Sequence, residues 1–411
     1  MSLLTRRRLL SLVGLGGLTA VAARFALPAY WRVGPVRPVE GEAQDFVLRC
    51  FEGLDRAAIV DTHVHLVGMG EGDTGAWSNP DWRDPWNPWQ RFQYELYLGA
   101  SGIEAGPTAD ADYLARLLAL HRQGRGSGKL LLFAFDWRHN EAGAVQRELS
   151  AFHTPNEWVL EVARANPDVL ACASVHPYRA DALEQLDAVA EAGARAIKWL
   201  PGAMGIDPAS PRCLPYYERL VERGLVLITH PGEERSVEVH GDPDLGNPLR
   251  LRPALDLGVR VVMAHCASLG SNADLDSGEN DPPQVSSFDL FMRMMEEERY
   301  ADRLFGDVSA MNFINRCGEP LRRVLTAPHL HPRLLYASDY PLPALEPLHS
   351  TRFLQYRGYL TAEERRLCNE VIDANPLLGD FVVKRCLKVE EDGVVHRFAP
   401  RVFESGWLFP S

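Results

Sequence analysis

Four histidines, one lysine and one aspartate stand at the ends of short apolar runs, and together they could hold a metal ion. The first run, AIVDTHVHL (Ala58–Leu66), carries two of them, His63 and His65. Alternate residues of a β-strand share a face, so both imidazoles point the same way and lie close enough to bind one ion. Four further runs finish in a group able to ligate metal or move a proton: Lys198 in ARAIKWLP, His230 in LVLITHPG, His265 in RVVMAHCAS and Asp339 in LLYASDYP. A lone histidine on an apolar strand is ordinarily a satisfied core residue. Four of them at strand ends, joined by an aspartate, point instead to a metal site.

Such residues serve one site only if their strands end together. A lead-in helix is expected near Ala43–Leu54, before the first strand, and a long segment from Val67 to about Asp110 follows it. That segment reads as a structureless lid or binding loop, with Trp77, Trp82, Trp86 and Trp89 among its prolines and glycines. After a helix over Asp112–Arg122 the alternation becomes regular. Strands are expected at Lys129–Trp137, Val169–Pro177, the runs ending near Lys198, His230 and His265, Leu304–Met311 and Arg333–Pro341, with helices between them. The strands are rich in Val, Ile, Leu and Ala with little polar alternation, which suits burial on both faces of a parallel sheet. Eight strands alternating with helices imply a closed (β/α)8 TIM barrel with a long insertion after the first strand. An open doubly wound sheet would read similarly, but no GxGxxG follows the first strand. In a barrel all eight carboxyl ends meet at one mouth, which would gather the six residues.

The order HxH, Lys, His, His, Asp on strands one, four, five, six and eight resembles the amidohydrolase superfamily of metal-dependent TIM barrels, over about residues 55–385. The segments IVDTHVHL, ASDYP and DANPLLGDF (Asp373–Phe381) are most similar to the amidohydrolase-2 branch, which holds aminocarboxymuconate-semialdehyde decarboxylase. The resemblance implies that His63, His65 and Asp339 bind a first metal. In two-metal members a carboxylated Lys198 would bridge to a second ion held by His230 and His265. In one-metal members His230 would complete the first site and His265 would act as acid or base. Burial beside dications favours a neutral Lys198 amine able to form the bridging carbamate, while a protonated Lys198 paired with a carboxylate is the alternative. Either arrangement supplies a water of lowered pKa and a polarised carbonyl or phosphoryl group. Asp339 would be both ligand and proton shuttle. A donor set without thiolate suits zinc, with manganese, cobalt or iron compatible.

The expected activity is hydrolysis of an ester, amide, lactone or phosphoester bond in a small molecule. The alternative is a one-metal decarboxylase or hydratase, gripping a substrate carboxylate through Lys198, Arg138 or Arg235; a third reading is an inactive barrel used for binding. Weaker substrate contacts are His176, after the third strand, and Trp86 and Trp89 in the insertion. Trp199 and Cys266 alternate away from the site. Glu233 and Glu234 read as a solvated turn, with orientation of the histidines as the alternative. Asp136 and Asp307 divide evenly between substrate positioning and loop capping.

Composition narrows the partners. The 411 residues carry a formal net charge of -12, which argues against non-specific binding to nucleic acid or anionic membrane. The seven scattered cysteines form neither a CxxC pair nor a dense disulfide pattern. Thr5-Arg6-Arg7-Arg8-Leu9-Leu10 resembles the twin-arginine export motif, and the apolar run Leu9–Ala23 has signal-peptide length. A periplasmic destination follows, with an uncleaved inner-membrane anchor as the alternative and the only membrane contact. The expected organisation is a leader at 1–31, a linker and helix at 32–54, a catalytic barrel at 55–387 and a tail at 388–411. The superfamily resemblance also implies a homo-oligomer.

Overall fold

The computed structural model describes residues 33–410 except 71, 125–127, 238 and 347. The expected export leader lies outside the described residues. Eight short strands form one sheet: β1 Val60–His65, β2 Lys129–Phe133, β3 Val169–Ala173, β4 Ala196–Trp199, β5 Val226–Thr229, β6 Val261–Met263, β7 Leu304–Asp307 and β8 Leu334–Leu335. They are hydrogen-bonded in sequence order, every pair parallel. The ring closes where the Thr62 amide donates to the Tyr336 carbonyl at 3.1 Å and the His65 amide to the Tyr340 carbonyl at 3.1 Å. Val64 bridges Tyr340 in parallel register there. The molecule is a TIM barrel whose strands are almost wholly buried.

Several strands are shorter than their apolar runs, and the reason is chemical. Beyond β8 the Ser338 amide leaves the ladder to donate to the Asp61 carboxylate at 2.8 Å. Beyond β6 the His265 amide donates to the Asp307 carboxylate at 2.9 Å. A side chain replaces a neighbouring strand as the acceptor, so the backbone turns while its N–H stays satisfied.

The segment after β1 is not structureless. It contains a 14-residue helix, Pro88–Ser101, with proline in the first turn and Gly102 at φ 65° closing the end. Its buried Tyr94, Leu98 and Ser101 fall at helical spacing on one face, toward the barrel mouth. A short antiparallel pair, Trp77–Ser78 with Phe152–His153, ties this insertion to the loop after β2. At the opposite end of the barrel the tail adds a hairpin, Lys388–Glu391 with Val394–Arg397, and a short helix, Pro400–Phe403. Its Val402 carbonyl accepts the Tyr336 amide at 2.7 Å, and Phe403, Leu408 and Phe409 are buried. All seven cysteines are free and buried. Among the described residues no helix is long and apolar enough to cross a membrane.

Candidate metal centre

His63, His65, Lys198, His230, His265 and Asp339 all line one cavity at the carboxyl ends of the strands. The ring centroids of His63 and His65 lie 5.1 Å apart, those of His63 and His265 5.0 Å, and those of His230 and His265 4.9 Å. Asp339 sits between them. Its Oδ1 is 2.9 Å from His65 Nε2 and 3.5 Å from His63 Nε2, and its Oδ2 is 4.0 Å from His265 Nε2. Lys198, completely buried, places Nζ 3.4 Å from His63 Nε2 and 4.6 Å from the centre of the Phe133 ring. His230 directs Nε2 at the Glu234 carboxylate, 3.3 Å away.

Groups behind this floor fix which nitrogen faces it. Asp307 Oδ2 lies 2.9 Å from His63 Nδ1, so the proton resides on Nδ1 and the Nε2 lone pair faces Asp339. His265 Nδ1 lies 2.7 Å from Ser309 Oγ, whose own hydrogen goes to Asp307, and 3.1 Å from the Ser309 carbonyl, so Nδ1 carries the proton and Nε2 is the lone-pair nitrogen. The second Asp307 oxygen accepts the His265 amide at 2.9 Å and the Ser309 amide at 3.0 Å. One carboxylate therefore orients a histidine of β1 and pins the loop carrying another. The backbone at His265 and Asp339 lies in the left-handed region, at φ 55° and 65°. Each costs on the order of 1–3 kcal/mol and is held by these side-chain and backbone bonds.

Electrostatics keeps His63, His230 and His265 neutral. Burial, then the Lys198 ammonium, pushes His63 well below the ordinary imidazole range; burial, then Arg316, does the same to His265. Burial lowers His230 also, and burial lowers Lys198 against the pull of Asp307 and Asp339. Neutral imidazole is the form that ligates metal. One ligand atom each from His63, His265 and Asp339 falls within 4.8 Å of the others. Lone pairs aimed at one point, neutral rings and a shared carboxylate make the donor set fit a divalent ion of borderline hardness.

The cavity, of about 130 Å³, changes character above its floor. Trp82, Tyr94, Tyr97 and Leu98 of the insertion line one wall, and Phe152, Leu200 and Val237 line the other. Trp86 and Trp89, expected as substrate contacts, are instead 88% and 64% exposed and do not line it. They sit before and at the start of the helix, so its inward face begins at Tyr94. His176 is likewise consumed by structure: its Nε2 faces the Met204 carbonyl at 3.0 Å, and its Nδ1 accepts the Tyr178 amide at 3.1 Å. Arg138 donates to the carbonyls of Gly202 and Ala203 at 3.2 and 3.1 Å, and Arg235 pairs with Glu233 on the surface at 2.9 Å. Neither lines the cavity.

Asp136 caps its loop, accepting the Trp137 and His176 amides at 2.8 and 2.9 Å. Trp199 packs outward, its indole N–H on the Val175 carbonyl at 3.1 Å. Cys266 turns away to the Asp307 carbonyl at 3.2 Å. The adjacent glutamates divide: Glu233 faces solvent, while Glu234 is inside and lines the cavity. Sequence reasoning gave no weight to Arg316, a buried guanidinium bonded to Ser268 Oγ at 3.1 Å, or to Ser309. Nothing in the chain around them distinguishes them from loop residues.

Residues 60–367 match a family model described as amidohydrolase. No curated protein matches the chain. Among solved structures, an uncharacterised TIM-barrel protein of Bordetella bronchiseptica is 17% identical with a TM-score of 0.46, the match covering 78% of this chain and 99% of that one. A 2-pyrone-4,6-dicarboxylic acid hydrolase assigned in Pseudomonas putida is 17% identical with a TM-score of 0.40, covering 79% and 98%. A 5-carboxyvanillate decarboxylase of Sphingomonas paucimobilis is 11% identical with a TM-score of 0.42, covering 77% and 98%.

Proposed function

Because the chain belongs to the amidohydrolase family, we propose that it is a metal-dependent hydrolase of an ester, amide, lactone or phosphoester bond in a small molecule. The observation that carries this reading is the buried floor, where neutral imidazoles and one carboxylate converge below an apolar cavity. His63, His65 and Asp339 would hold the ion. Zinc is the best match to the donors, with manganese, cobalt or iron compatible. Lys198, if carboxylated, would help hold a second ion with His230 and His265; otherwise His230 would complete a single site and His265 would exchange protons with substrate. When bound, the ion supplies a water of lowered pKa and polarises the electrophilic centre.

The chain supplies the rest. Asp339 Oδ1 lies 2.9 Å from His65 Nε2, which leaves Oδ2 to take a proton and return it to the leaving group. Asp307 and Ser309 keep the His63 and His265 tautomers fixed throughout. The apolar walls exclude bulk water and strengthen each of these interactions.

One observation favours a lyase as the second reading. Lys198 on the cavity floor has no carboxylate within ion-pair distance among the described residues, and a substrate carboxylate would satisfy it. The test is a panel of aryl esters, lactones, anilides and phosphoesters beside 14C-carboxyl aryl acids, each with metal-loaded and chelator-stripped protein. Metal-dependent ester, amide or phosphoester cleavage supports the hydrolase. Labelled carbon dioxide without cleavage supports the lyase. The arginine-rich leader also favours export to the periplasm, and cell fractionation of a full-length fusion tests that.

A further inference from the structure

A second polar cluster lies outside the cavity, and the proposed chemistry does not use it. Lys384 and Asp380 stand one turn apart on the helix Pro376–Cys386, with both side chains fully buried. The Lys384 ammonium has three N–H groups, and three acceptors surround it: Asp380 Oδ1 at 2.7 Å, Asp380 Oδ2 at 2.6 Å and the Ala337 carbonyl at 2.8 Å. Asn312 Nδ2 donates to the same Asp380 Oδ1 at 3.0 Å and to His349 Nε2 at 2.9 Å. His349 Nδ1 in turn donates to the Pro343 carbonyl at 3.0 Å. One carboxylate on an outer helix is thereby tied to the turn after β8, to the turn after β7 and to the segment that follows Leu342, a lining residue of the cavity.

Stability alone does not account for a lysine and an aspartate at this depth. Desolvating two charges offsets most of what their attraction returns, and apolar residues of similar volume would pack there as well. What the pair supplies is direction. The turn Ala337–Tyr340 carries Asp339 with its backbone in the left-handed region, at φ 65°. β1 holds this turn from the inside. Asp61 accepts the Ser338 amide at 2.8 Å, the His63 carbonyl accepts the Asp339 amide at 2.9 Å, and the His65 amide donates to the Tyr340 carbonyl at 3.1 Å. Lys384 holds it from the outside, two residues before Asp339. The turn after β7 is built the same way. Ala310, at φ 53°, lies between Ser309, which faces His265, and Asn312, which is bonded to Asp380. A residue with a Cβ keeps such a conformation only where the surrounding bonds over-determine it. Two such turns, one carrying Asp339 and one carrying the Ser309 partner of His265, share a single anchor.

We infer that Lys384, Asp380 and Asn312 are positioning residues that hold Asp339 and the support of His265 in register for ligation. They touch neither substrate nor ion and act through the two turns. The inference rests on the metal-dependent reading in taking Asp339 as a ligand.

The test uses full-length protein and three variants that leave no buried charge alone. Lys384→Met with Asp380→Leu makes the pair apolar. Lys384→Gln with Asp380→Asn keeps a neutral donor and acceptor in the same places. Asn312→Leu cuts the links to Asp380 and His349 and removes Oδ1, which has no hydrogen-bond partner. Zinc affinity is read by isothermal titration calorimetry on chelator-stripped protein. Backbone hydrogen exchange of the metal-free protein is read by mass spectrometry, and stability from urea midpoints.

The apolar pair should weaken zinc by about 10–100-fold, the scale of losing a group behind a ligand. It should speed exchange over residues 334–342 by at least about tenfold, with the urea midpoint and the remaining strands unchanged. The neutral pair should restore most of both. Asn312→Leu should weaken zinc by about tenfold and speed exchange over residues 307–313 instead. If the apolar pair exchanges and binds zinc as wild type does, the inference is wrong. If its exchange rises throughout the molecule and the urea midpoint falls, the pair is merely structural and the inference is also wrong. Wild-type exchange and zinc affinity in Asn312→Leu overturn it as well, which covers failure of the apolar pair to fold. Faster exchange in the two turns with no zinc bound even by wild type contradicts the metal-dependent reading alone. Equal zinc affinity in wild type and all three variants contradicts this inference alone.

Discussion

The floor and the walls of the cavity are built on opposite principles. On the floor nearly every group has a second partner behind it: His63 on Asp307, His265 on Ser309, and the Asp339 amide on the His63 carbonyl at 2.9 Å. The walls are held by packing, with Tyr94, Leu98 and Trp82 buried against the mouth and few directional bonds among them. A polar network in a low-dielectric site has one satisfied arrangement, and losing a member leaves another buried group unpaired. An apolar wall tolerates exchange at the cost of contact area. Changes on the floor should therefore abolish chemistry, while changes on the walls should shift substrate preference and stability.

Asp339→Ala should have the largest effect. It removes the shared carboxylate, and activity should fall by about a thousandfold or more while the far-ultraviolet circular dichroism is retained. Retention of more than a tenth of wild-type activity would break the distinction at its strongest point. On the walls, Leu98→Ala should destabilise the protein by about 2–5 kcal/mol in urea unfolding and raise KM more than it lowers kcat. An equal loss in kcat alone would mean that the wall participates in the reaction.

Asp307→Asn sharpens the contrast because it touches no substrate. It should weaken metal affinity or activity by about 10–100-fold, the usual cost of losing the carboxylate behind a ligating histidine. A metal titration of this variant matching wild type would show that His63 needs no such support.

Acid should undermine the polar scaffolding before the walls. Burial, with neighbouring histidine and lysine charge, pushes His176 down to about 3 and His349 down to about 4. Each ring has one nitrogen accepting an N–H, from Tyr178 and from Asn312, which protonation would turn into a facing donor. Unfolded histidines take up protons from about pH 6.5 downward while these folded ones do not, so stability is full above about 6.5 and falls below it. The loss should be roughly 1.4 kcal/mol per pH unit for each group between about pH 6 and 4.5, read from urea midpoints. A flat profile over that window would exclude buried neutral histidines. The smallest effect belongs to the insertion's outer rim. Trp86→Ala and Trp89→Ala should change stability by no more than about 0.5 kcal/mol and activity by no more than about twofold.

The sequence made the floor legible and the walls obscure for a physical reason. A histidine or aspartate that ends a Val- and Leu-rich run is conspicuous, and barrel geometry then forces such ends together, as at His63, His265 and Asp339. Asp307 ends a strand in the same way, but an aspartate there equally suits an ordinary cap, and only its 2.9 Å approach to His63 separates the two. The alternation at Glu233 and Glu234 carries no sign of which one turns inward. In the insertion the prolines and glycines masked a helix whose signals were present: proline at its start, glycine at its end and Tyr94, Leu98 and Ser101 in register between. The tryptophans drew attention to the exposed rim, while Trp82 and the tyrosines form the wall.

The central claim is that the buried floor holds a divalent ion on which the chemistry depends. Metal content per chain, measured by inductively coupled plasma mass spectrometry on protein purified without chelator, tests it most directly when wild type and Asp339→Ala are compared. The wild type should carry about one or two equivalents, one for a single ion on His63, His65, His230 and Asp339, two for a carboxylated Lys198 bridge, and Asp339→Ala should lose most of it. A wild type that carries no metal and takes none up on reconstitution would contradict the account.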